Sequence, residues 1–287
     1  MRRTTKTLVT LAALAMLTTA LASPAAADGE HRRGRPVYLA LGDSWAYGQG
    51  ADVPAVGGYV AVLYQDLREE LDCRPRWARA LPEQCRRLRL VNLGRPATET
   101  LPGVTAPLVT EEQLPIATRM LERRNNDRFR RNDVLAVTLH VGGNDVSGPI
   151  QAACIEGFTQ DCVITWMGEM AQFEADLDHV VGGLRGAAGP TTPIVLGTYD
   201  NPVPYCSLAA IPGAIQLGAA VLEGTPDGFL DGVHDVVRRV AQRYDAEVAE
   251  VFGTLGDGDF VGGDDCLHVT DSGHAKVADA FLSLIDG

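Results

Sequence analysis

The sequence predicts a three-layer α/β/α sandwich, because short apolar runs alternate along the chain with longer amphipathic stretches. Runs of consecutive apolar residues are typical of strands that are buried on both faces, as in a parallel sheet. The helix-spaced apolar residues between the runs supply the crossovers that parallel strands need. We therefore expect a single α/β domain over residues 36–287, with its ligand site beyond the carboxyl ends of the strands.

The predicted elements follow one another in regular order. Strands are predicted over residues 37–41, 88–93, 134–141 and 194–199, with a shorter fifth strand over 247–252. Helices are predicted over residues 58–71, 111–124, 165–184, 227–244 and 273–285, the last capped by Thr270 or Asp271. A polar or glycine-rich segment directly follows each of the first three strands. We expect these three segments to meet at one edge of the sheet.

The first 27 residues have the pattern of a secretory signal peptide. Three basic residues precede a nearly continuous apolar run over 8–21, and the alanines at 25–27 fit a cleavage site. The apolar run is shorter than the roughly 20 residues that a membrane-spanning helix needs, which favours export over anchoring. We expect a secreted, extracellular protein, with residues 28–35 as a disordered leader.

The charge balance excludes several kinds of partner. Without residues 1–27, 22 basic and 37 acidic residues remain, so the net charge falls from −12 to −15. Nucleic acids and anionic membrane surfaces repel a chain this acidic. No later segment is long and apolar enough to span a bilayer. We expect a monomer with no nucleic-acid partner and no stable membrane insertion.

Six cysteines follow the predicted signal peptide, and they are Cys73, Cys85, Cys154, Cys162, Cys206 and Cys266. An even number in an exported chain favours three disulfides over free thiols, although six cysteines allow 15 pairings. Proximity along the chain favours Cys73–Cys85 and Cys154–Cys162, which leaves Cys206–Cys266. The cysteines lack the spacing of a zinc site, so we expect no metal.

Ser44 is the candidate nucleophile. It follows Gly42 and Asp43 directly after the first predicted strand. A serine at such a turn can direct its hydroxyl into a cleft while its own N–H faces the same way. The alternative is that Ser44 caps the N-terminus of a helix.

Asp265 and His268 form the tightest local pattern near the C-terminus. On a loop before the final helix, two residues three apart can turn to the same side. The carboxylate can then accept from one imidazole nitrogen and leave the other free for a serine proton. The remaining histidines are interpreted as structural, and they are His31, His140, His179, His234 and His274.

Asn144 is a candidate donor to a developing oxyanion. It follows Gly142 and Gly143 at the end of the most apolar strand, where glycines allow a substrate to approach the backbone. The alternative is an ordinary turn asparagine. Asp145 is expected to brace the loop rather than to react.

Taken in order, four motifs resemble those of the SGNH hydrolases, also called GDSL esterases and lipases. The motifs are Gly42-Asp43-Ser44, Asn92-Leu93-Gly94, Gly142-Gly143-Asn144-Asp145 and Asp265-Cys266-Leu267-His268. The six cysteines are similar to those of secreted actinobacterial members with three disulfides. The resemblance implies a flavodoxin-like fold with about five parallel strands and a site that needs no cofactor. It also implies that Ser44 is the nucleophile, His268 the base and Asp265 its partner, with Asn144 and backbone amides, including that of Ser44, as the oxyanion hole.

Two positions depart from the family pattern. Trp45 stands where the family usually has leucine, tyrosine or a similar residue, and this tryptophan can shape the acyl pocket. Ala97 stands where the family's oxyanion glycine generally lies. Its N–H can still serve if its φ is negative, and otherwise Gly94 must supply this donor.

The sequence therefore predicts a secreted serine esterase or lipase that acts on small-molecule or lipid esters through an acyl-enzyme. Few large aromatic residues and the lack of a long apolar lid favour short or medium acyl chains. The alternative is a non-catalytic module that binds carbohydrate or cell wall on the same fold. A calcium site formed by the acidic residues Asp257, Asp259, Asp264 and Asp265 is disfavoured, because Val261 occupies a position where a ligand is needed.

Overall fold

The computed structural model describes residues 35–71, 88–96, 108–125 and 133–285. The predicted signal peptide, almost all of the predicted leader, the predicted Cys73–Cys85 disulfide and the candidate donor Ala97 lie outside the described residues.

The described strands of the main sheet are β1 (Val37–Gly42), β2 (Arg89–Asn92), β3 (Val134–His140), β4 (Ile194–Gly197) and β5 (Glu247–Ala249). A separate hairpin contains β6 (Phe260–Gly262) and β7 (Asp265–Val269). The described helices are α1 (Ser44–Tyr47), α2 (Pro54–Gly57), α3 (Tyr59–Leu71), α4 (Leu114–Asn125), α5 (Gly143–Cys154), α6 (Gln160–Ala188), α7 (Ala214–Glu223), α8 (Val233–Arg243) and α9 (Asp271–Ile285). A π-helical turn over Val109–Gln113 leads into α4, and two 3₁₀ turns, Val203–Tyr205 and Ser207–Ala210, precede α7.

The main sheet is parallel, with the strand order β2-β1-β3-β4-β5. The predicted three-layer sandwich with about five parallel strands is thereby confirmed. The pairing of β1 with β3 places Gly42 opposite His140, so these two strands end side by side. The segments that follow them, which carry Ser44 and Asn144, therefore start from neighbouring points at one edge of the sheet.

Alternate residues of β1 face the two helical layers. Leu39 and Leu41 belong to the core formed with α4, α6 and α8. Tyr38 and Ala40 belong to a second core formed with α3 and α9. The period of two along the strand thus accounts for helices on both faces of the sheet.

Burial on both faces was predicted for the first four strands, and this is wrong for β2. Strands β2 and β5 lie at the edges of the sheet, where Arg89 and Glu247 are exposed. An edge strand has a neighbour on one side only, so part of it stays in contact with solvent.

Other predicted elements differ from the observed ones because packing in the folded chain outweighs the local sequence pattern. The segment Asp265–His268 was predicted as a loop, but it forms most of β7, paired with β6. Helices α5 and α7 were not predicted. Helix α5 begins at Gly143 and contains Pro149, and both residues are typical of turns. The final helix begins at Asp271, and the Thr270 hydroxyl accepts the Gly273 N–H at 3.4 Å.

The part of the chain that the structure describes has neither a membrane-spanning helix nor a cluster of metal ligands. None of the described helices is long and apolar enough to cross a membrane. In the same residues, no group of three or more histidine, cysteine, aspartate or glutamate side chains is placed to hold a metal ion.

Candidate active site

Ser44 is the first residue of the short helix α1, directly after β1. Asp43 is the N-cap of this helix, and its Oδ1 accepts the Trp45 N–H at 2.9 Å. Ser44 therefore does not occupy the capping position. Because the first N–H groups of a helix have no acceptor within the helix, the Ser44 N–H is available at the turn.

The turn before Ser44 requires a glycine. Gly42 has φ = +138°, and a Cβ atom at this position would lie 2.1 Å from the His140 carbonyl oxygen. The buried Gln113 side chain accepts the Gly42 N–H at 2.8 Å and donates to the Gly42 carbonyl at 2.9 Å. These contacts fix the direction in which the chain leaves β1.

The structure brings Ser44, His268 and Asp265 into one hydrogen-bonded chain. His268 Nε2 lies 3.0 Å from Ser44 Oγ, and His268 Nδ1 lies 2.9 Å from Asp265 Oδ2. Ser44 and His268 are both buried, whereas Asp265 is partly exposed. Residues that are 224 positions apart in sequence thus meet at the end of β1.

Asp265 is suited to remain ionised next to the imidazole. Its Oδ1 also accepts the backbone N–H groups of Leu267 and His268, each at 3.0 Å. Partial burial raises the pKa of Asp265, but the hydrogen bonds from His268 and from these N–H groups outweigh it, and the pKa lies below its ordinary value. The carboxylate therefore orients the His268 ring, with Nε2 facing the serine.

Two of the predicted disulfides lie in the described part of the chain. Cys154 pairs with Cys162, where α5 is joined to α6. Cys206 pairs with Cys266, which lies between Asp265 and His268. The second disulfide ties the histidine-bearing strand to the segment after β4.

Asn144 lies on the wall of a cavity of about 720 Å³ that also opens onto Ser44 and His268. None of the described residues forms a hydrogen bond with its side-chain amide, so this amide is available to a ligand. The 3₁₀ turns and α7 also contribute apolar side chains to the wall of this cavity. These are Val203, Leu208, Val221 and Leu222. The cavity therefore joins a polar reaction centre to an apolar wall.

Gly94 does not lie among the residues that line this cavity. Its N–H donates to Asn92 Oδ1 at 2.9 Å. Asn92 Nδ2 in turn donates to the Ala46 carbonyl at 2.7 Å, which braces α1. The Asn92-Leu93-Gly94 motif thus supports the nucleophile turn, and a role of Gly94 as an oxyanion donor stays a prediction.

Sequence reasoning missed the pair formed by Asp43 and Tyr199. Tyr199 donates from Oη to Asp43 Oδ2 at 2.6 Å, and both side chains are buried. The Tyr199 ring also lies against Gly143, where an added Cβ would meet ring atoms at 3.4–3.5 Å. The pair therefore links the turn that carries Ser44 to the segment that carries Asn144. The available signal was the position of Tyr199 just beyond the fourth strand, at the same edge of the sheet.

Burial raises the pKa of Asp43 to about 7, despite the hydrogen bonds from Tyr199 and Trp45 that favour the carboxylate. The folded protein then holds this proton up to about pH 7, whereas the unfolded chain releases it near its ordinary pKa, about 4. The folded state binds more protons between these values, so the free energy of unfolding falls as pH rises from about 4 to 7.

Asp43→Asn is expected to remove this contribution, because the amide imitates the protonated acid and does not titrate. Denaturant unfolding between pH 4.5 and 8 should give a wild-type free energy that falls relative to the variant by about 3 kcal/mol. Other titrating groups are common to both proteins and cancel in the difference. Parallel curves for the two proteins would contradict the buried-acid interpretation.

Three other histidines occupy structural positions, as expected. His140 is fully buried at the end of β3, and its Nε2 lies 3.0 Å from the Thr198 carbonyl oxygen. Burial lowers the pKa of His140 to about 3, so the ring is neutral at neutral pH. The buried His234 and His274 hydrogen-bond to the Tyr199 N–H and the Gln49 carbonyl, each at 3.0 Å. His31 lies outside the described residues, and His179 lies on α6.

The acidic residues near β7 do not converge on a cation. Asp259 is buried and forms an ion pair with Lys276 at 2.5 Å, while its other oxygen accepts from the Ser272 hydroxyl. Asp265 is engaged with His268. The two carboxylates thus serve separate local contacts.

Comparison with known proteins places this fold and site in one class. The model of the GDSL-like lipase/acylhydrolase family matches residues 40–276, and the chain belongs to that family. Members of this class are hydrolases of acyl esters, and the fold and the position of the site agree with that class. No curated protein sequence matches the chain.

Solved structures that are similar to this chain include a lipase and a carbohydrate esterase. The lipase Lip_vut3 from a goat rumen metagenome is 15% identical with a TM-score of 0.56, over 87% of this chain and 97% of that one. The family 3 carbohydrate esterase of Clostridium thermocellum is 16% identical with a TM-score of 0.45, over 87% and 94%. The likeness to Lip_vut3 supports the fold and does not assign a substrate.

Proposed function

We propose that this chain is a secreted serine esterase that hydrolyses carboxylic esters through Ser44, His268 and Asp265. The observation that carries the proposal is the continuous hydrogen-bonded chain from Ser44 Oγ through the imidazole to the Asp265 carboxylate. That chain opens onto a cavity large enough for a small organic substrate.

In the proposed reaction, Ser44 Oγ attacks the ester carbonyl carbon while its proton passes to His268 Nε2. Asp265 stabilises the imidazolium that forms. When the tetrahedral intermediate collapses, the C–O bond to the alcohol breaks, and His268 returns the proton to the leaving oxygen. Water then attacks the acyl-enzyme in the same way, and the acid is released together with free Ser44.

The proposed oxyanion hole is formed by the Ser44 N–H and the side-chain amide of Asn144. The N–H belongs to the first turn of α1, where the helix end favours negative charge. Asn144 lines the same cavity, and none of the described residues hydrogen-bonds to its side-chain amide. A third donor from residue 97 stays a prediction, because that residue lies outside the described part of the chain.

Export is proposed from two features. Residues 1–27 have the pattern of a signal peptide. The disulfides Cys154–Cys162 and Cys206–Cys266 are suited to an oxidising compartment.

The test of the proposed function is hydrolysis of p-nitrophenyl esters graded from acetate to palmitate. We expect kcat/KM to be highest between butyrate and octanoate. Each added CH₂ that reaches the apolar wall contributes up to about 0.8 kcal/mol, until the chain outgrows the cavity. A module that only binds carbohydrate would hydrolyse none of these esters.

The matched variant for this series is Leu208→Trp, since Leu208 lies on the apolar wall at a half-buried position. The larger ring should shift the preferred acyl chain towards acetate without abolishing hydrolysis of acetate. A strong preference for palmitate in the wild type, or an unchanged profile in the variant, would contradict the assignment of the acyl side of the cavity.

A further inference from the structure

Trp45, the residue after the proposed nucleophile, reaches across to the histidine-bearing strand. Its indole Nε1–H donates to the Leu267 carbonyl at 2.8 Å, across 222 positions of sequence. Leu267 directly precedes His268. Trp45 thus joins the turn that carries Ser44 to the strand that carries His268.

The pairing with β6 is irregular along the middle of β7. The hairpin register pairs Phe260 with Val269 and Gly262 with Asp265, and it shifts between these two pairs. The Leu267 side chain is 51% exposed, so it does not anchor the strand in the core. The backbone between Asp265 and Val269 therefore depends on contacts from other elements.

The Trp45 ring itself is held firmly. It is 3% exposed and packs edge-on against His140 and Tyr199, each with ring centroids 5.2 Å apart. Its backbone N–H is fixed by the Asp43 cap. Because the donor is rigid, its hydrogen bond restrains the Leu267 carbonyl more than a flexible side chain would.

We propose that Trp45 is a positioning residue that sets the distance between His268 Nε2 and Ser44 Oγ. This inference rests on the proposed function of that site. Leucine and tyrosine, two residues that the resemblance leads one to expect at this position, have no indole N–H to donate. The indole therefore gives this chain a direct link between the nucleophile turn and the base.

The second restraint on the same strand is the Cys206–Cys266 disulfide, one residue before Leu267. It joins β7 to the segment after β4, whereas Trp45 joins it to the segment after β1. The disulfide and the Trp45 hydrogen bond hold adjacent residues of β7. When one of them is removed, the other still limits how far the strand can move. Their removal is therefore expected to be non-additive.

The test uses Trp45→Phe, which keeps an aromatic ring and removes the N–H donor. We expect kcat for p-nitrophenyl butyrate to fall by about 5- to 10-fold with KM nearly unchanged, because a neutral hydrogen bond is lost and the proton-transfer geometry loosens. Trp166→Phe is the matched control. Trp166 is also buried, its Nε1–H donates to the Asp231 carbonyl at 2.7 Å, and neither residue lines the cavity. This control should lose stability with little change in kcat.

A second set removes the disulfide by the paired change Cys206→Ala and Cys266→Ala, alone and together with Trp45→Phe. The combined kcat loss should exceed the product of the separate losses.

Wild-type kcat in Trp45→Phe, an equal loss in Trp166→Phe, or a loss confined to KM would overturn the proposal. Failure of Trp45→Phe to fold would overturn it as well, since Trp45 would then serve the fold rather than the site. Failure of the proposed function itself would show separately, as hydrolysis that does not depend on Ser44.

Discussion

Replacement of Ser44 by alanine is expected to lower kcat for p-nitrophenyl butyrate by at least about 10⁴-fold, with KM little changed. The hydroxyl is the group that would form the acyl-enzyme, and its oxygen lies 3.0 Å from His268 Nε2. Removing one oxygen leaves the cavity and the oxyanion donors in place. Substrate binding should therefore survive while the chemical step is lost.

The control for this variant is Ser283→Ala. Ser283 lies on α9, and its hydroxyl donates to the Ala280 carbonyl at 2.9 Å, away from the cavity. It should keep wild-type kcat and KM. Hydrolysis by Ser44→Ala at a rate near that of Ser283→Ala would show that another nucleophile carries the reaction.

Asp265→Asn is expected to lower kcat by about 10³- to 10⁴-fold while the protein stays folded. The asparagine oxygen can still accept the backbone N–H groups of Leu267 and His268, as Asp265 Oδ1 does. Its NH₂ group would then face His268 Nδ1, which can no longer donate. The ring would take the tautomer with the proton on Nε2, and this nitrogen could not accept the serine proton.

Asp257→Asn makes the same change of charge at an exposed position of the neighbouring segment, and it should leave kcat within about twofold of wild type. Equal activity in the two variants would mean that Asp265 holds the hairpin in place without directing the imidazole. The comparison separates the loss of a negative charge from the loss of this particular acceptor.

The parts of the fold that the sequence predicted well are those with strong, continuous patterns. Strand β3 and helix α6 have uninterrupted apolar signals, and both were found, although α6 is longer at each end than predicted. Helix α5 was missed because its first residues are glycine, asparagine and aspartate and because it contains Pro149. Packing of Val146 and Ile150 into the core overrides those local signals.

The predicted site residues were recognisable because each lies next to an element end that the pattern locates. Ser44 and Asn144 follow strands that are neighbours in the sheet, and Asp265 and His268 precede the final helix. The predicted loop around them is a β-strand, but His268 Nε2 still reaches Ser44, and Asp265 contacts the other nitrogen of the imidazole. The spacing thus predicted that these side chains meet, but it did not predict their secondary structure.

The supporting contacts were not predictable, since they depend on which distant elements meet. Gln113 holds Gly42 across 71 residues, and Tyr199 holds Asp43 across 156 residues. A lone buried glutamine or tyrosine has no sequence signature of such a role. Trp45 was noticed as a departure from the family pattern, but its hydrogen bond to Leu267 requires the tertiary structure.

The central claim is that Ser44 and Asp265 act through His268 as one unit, and a double-mutant cycle tests it most directly. The measurement is kcat for wild type, Ser44→Ala, Asp265→Asn and the double variant on the same ester. If the three side chains work together, Asp265→Asn should cost nothing further once the serine oxygen is gone, so the double variant should match Ser44→Ala. Losses that multiply in the double variant would contradict the account, because the two residues would then contribute independently.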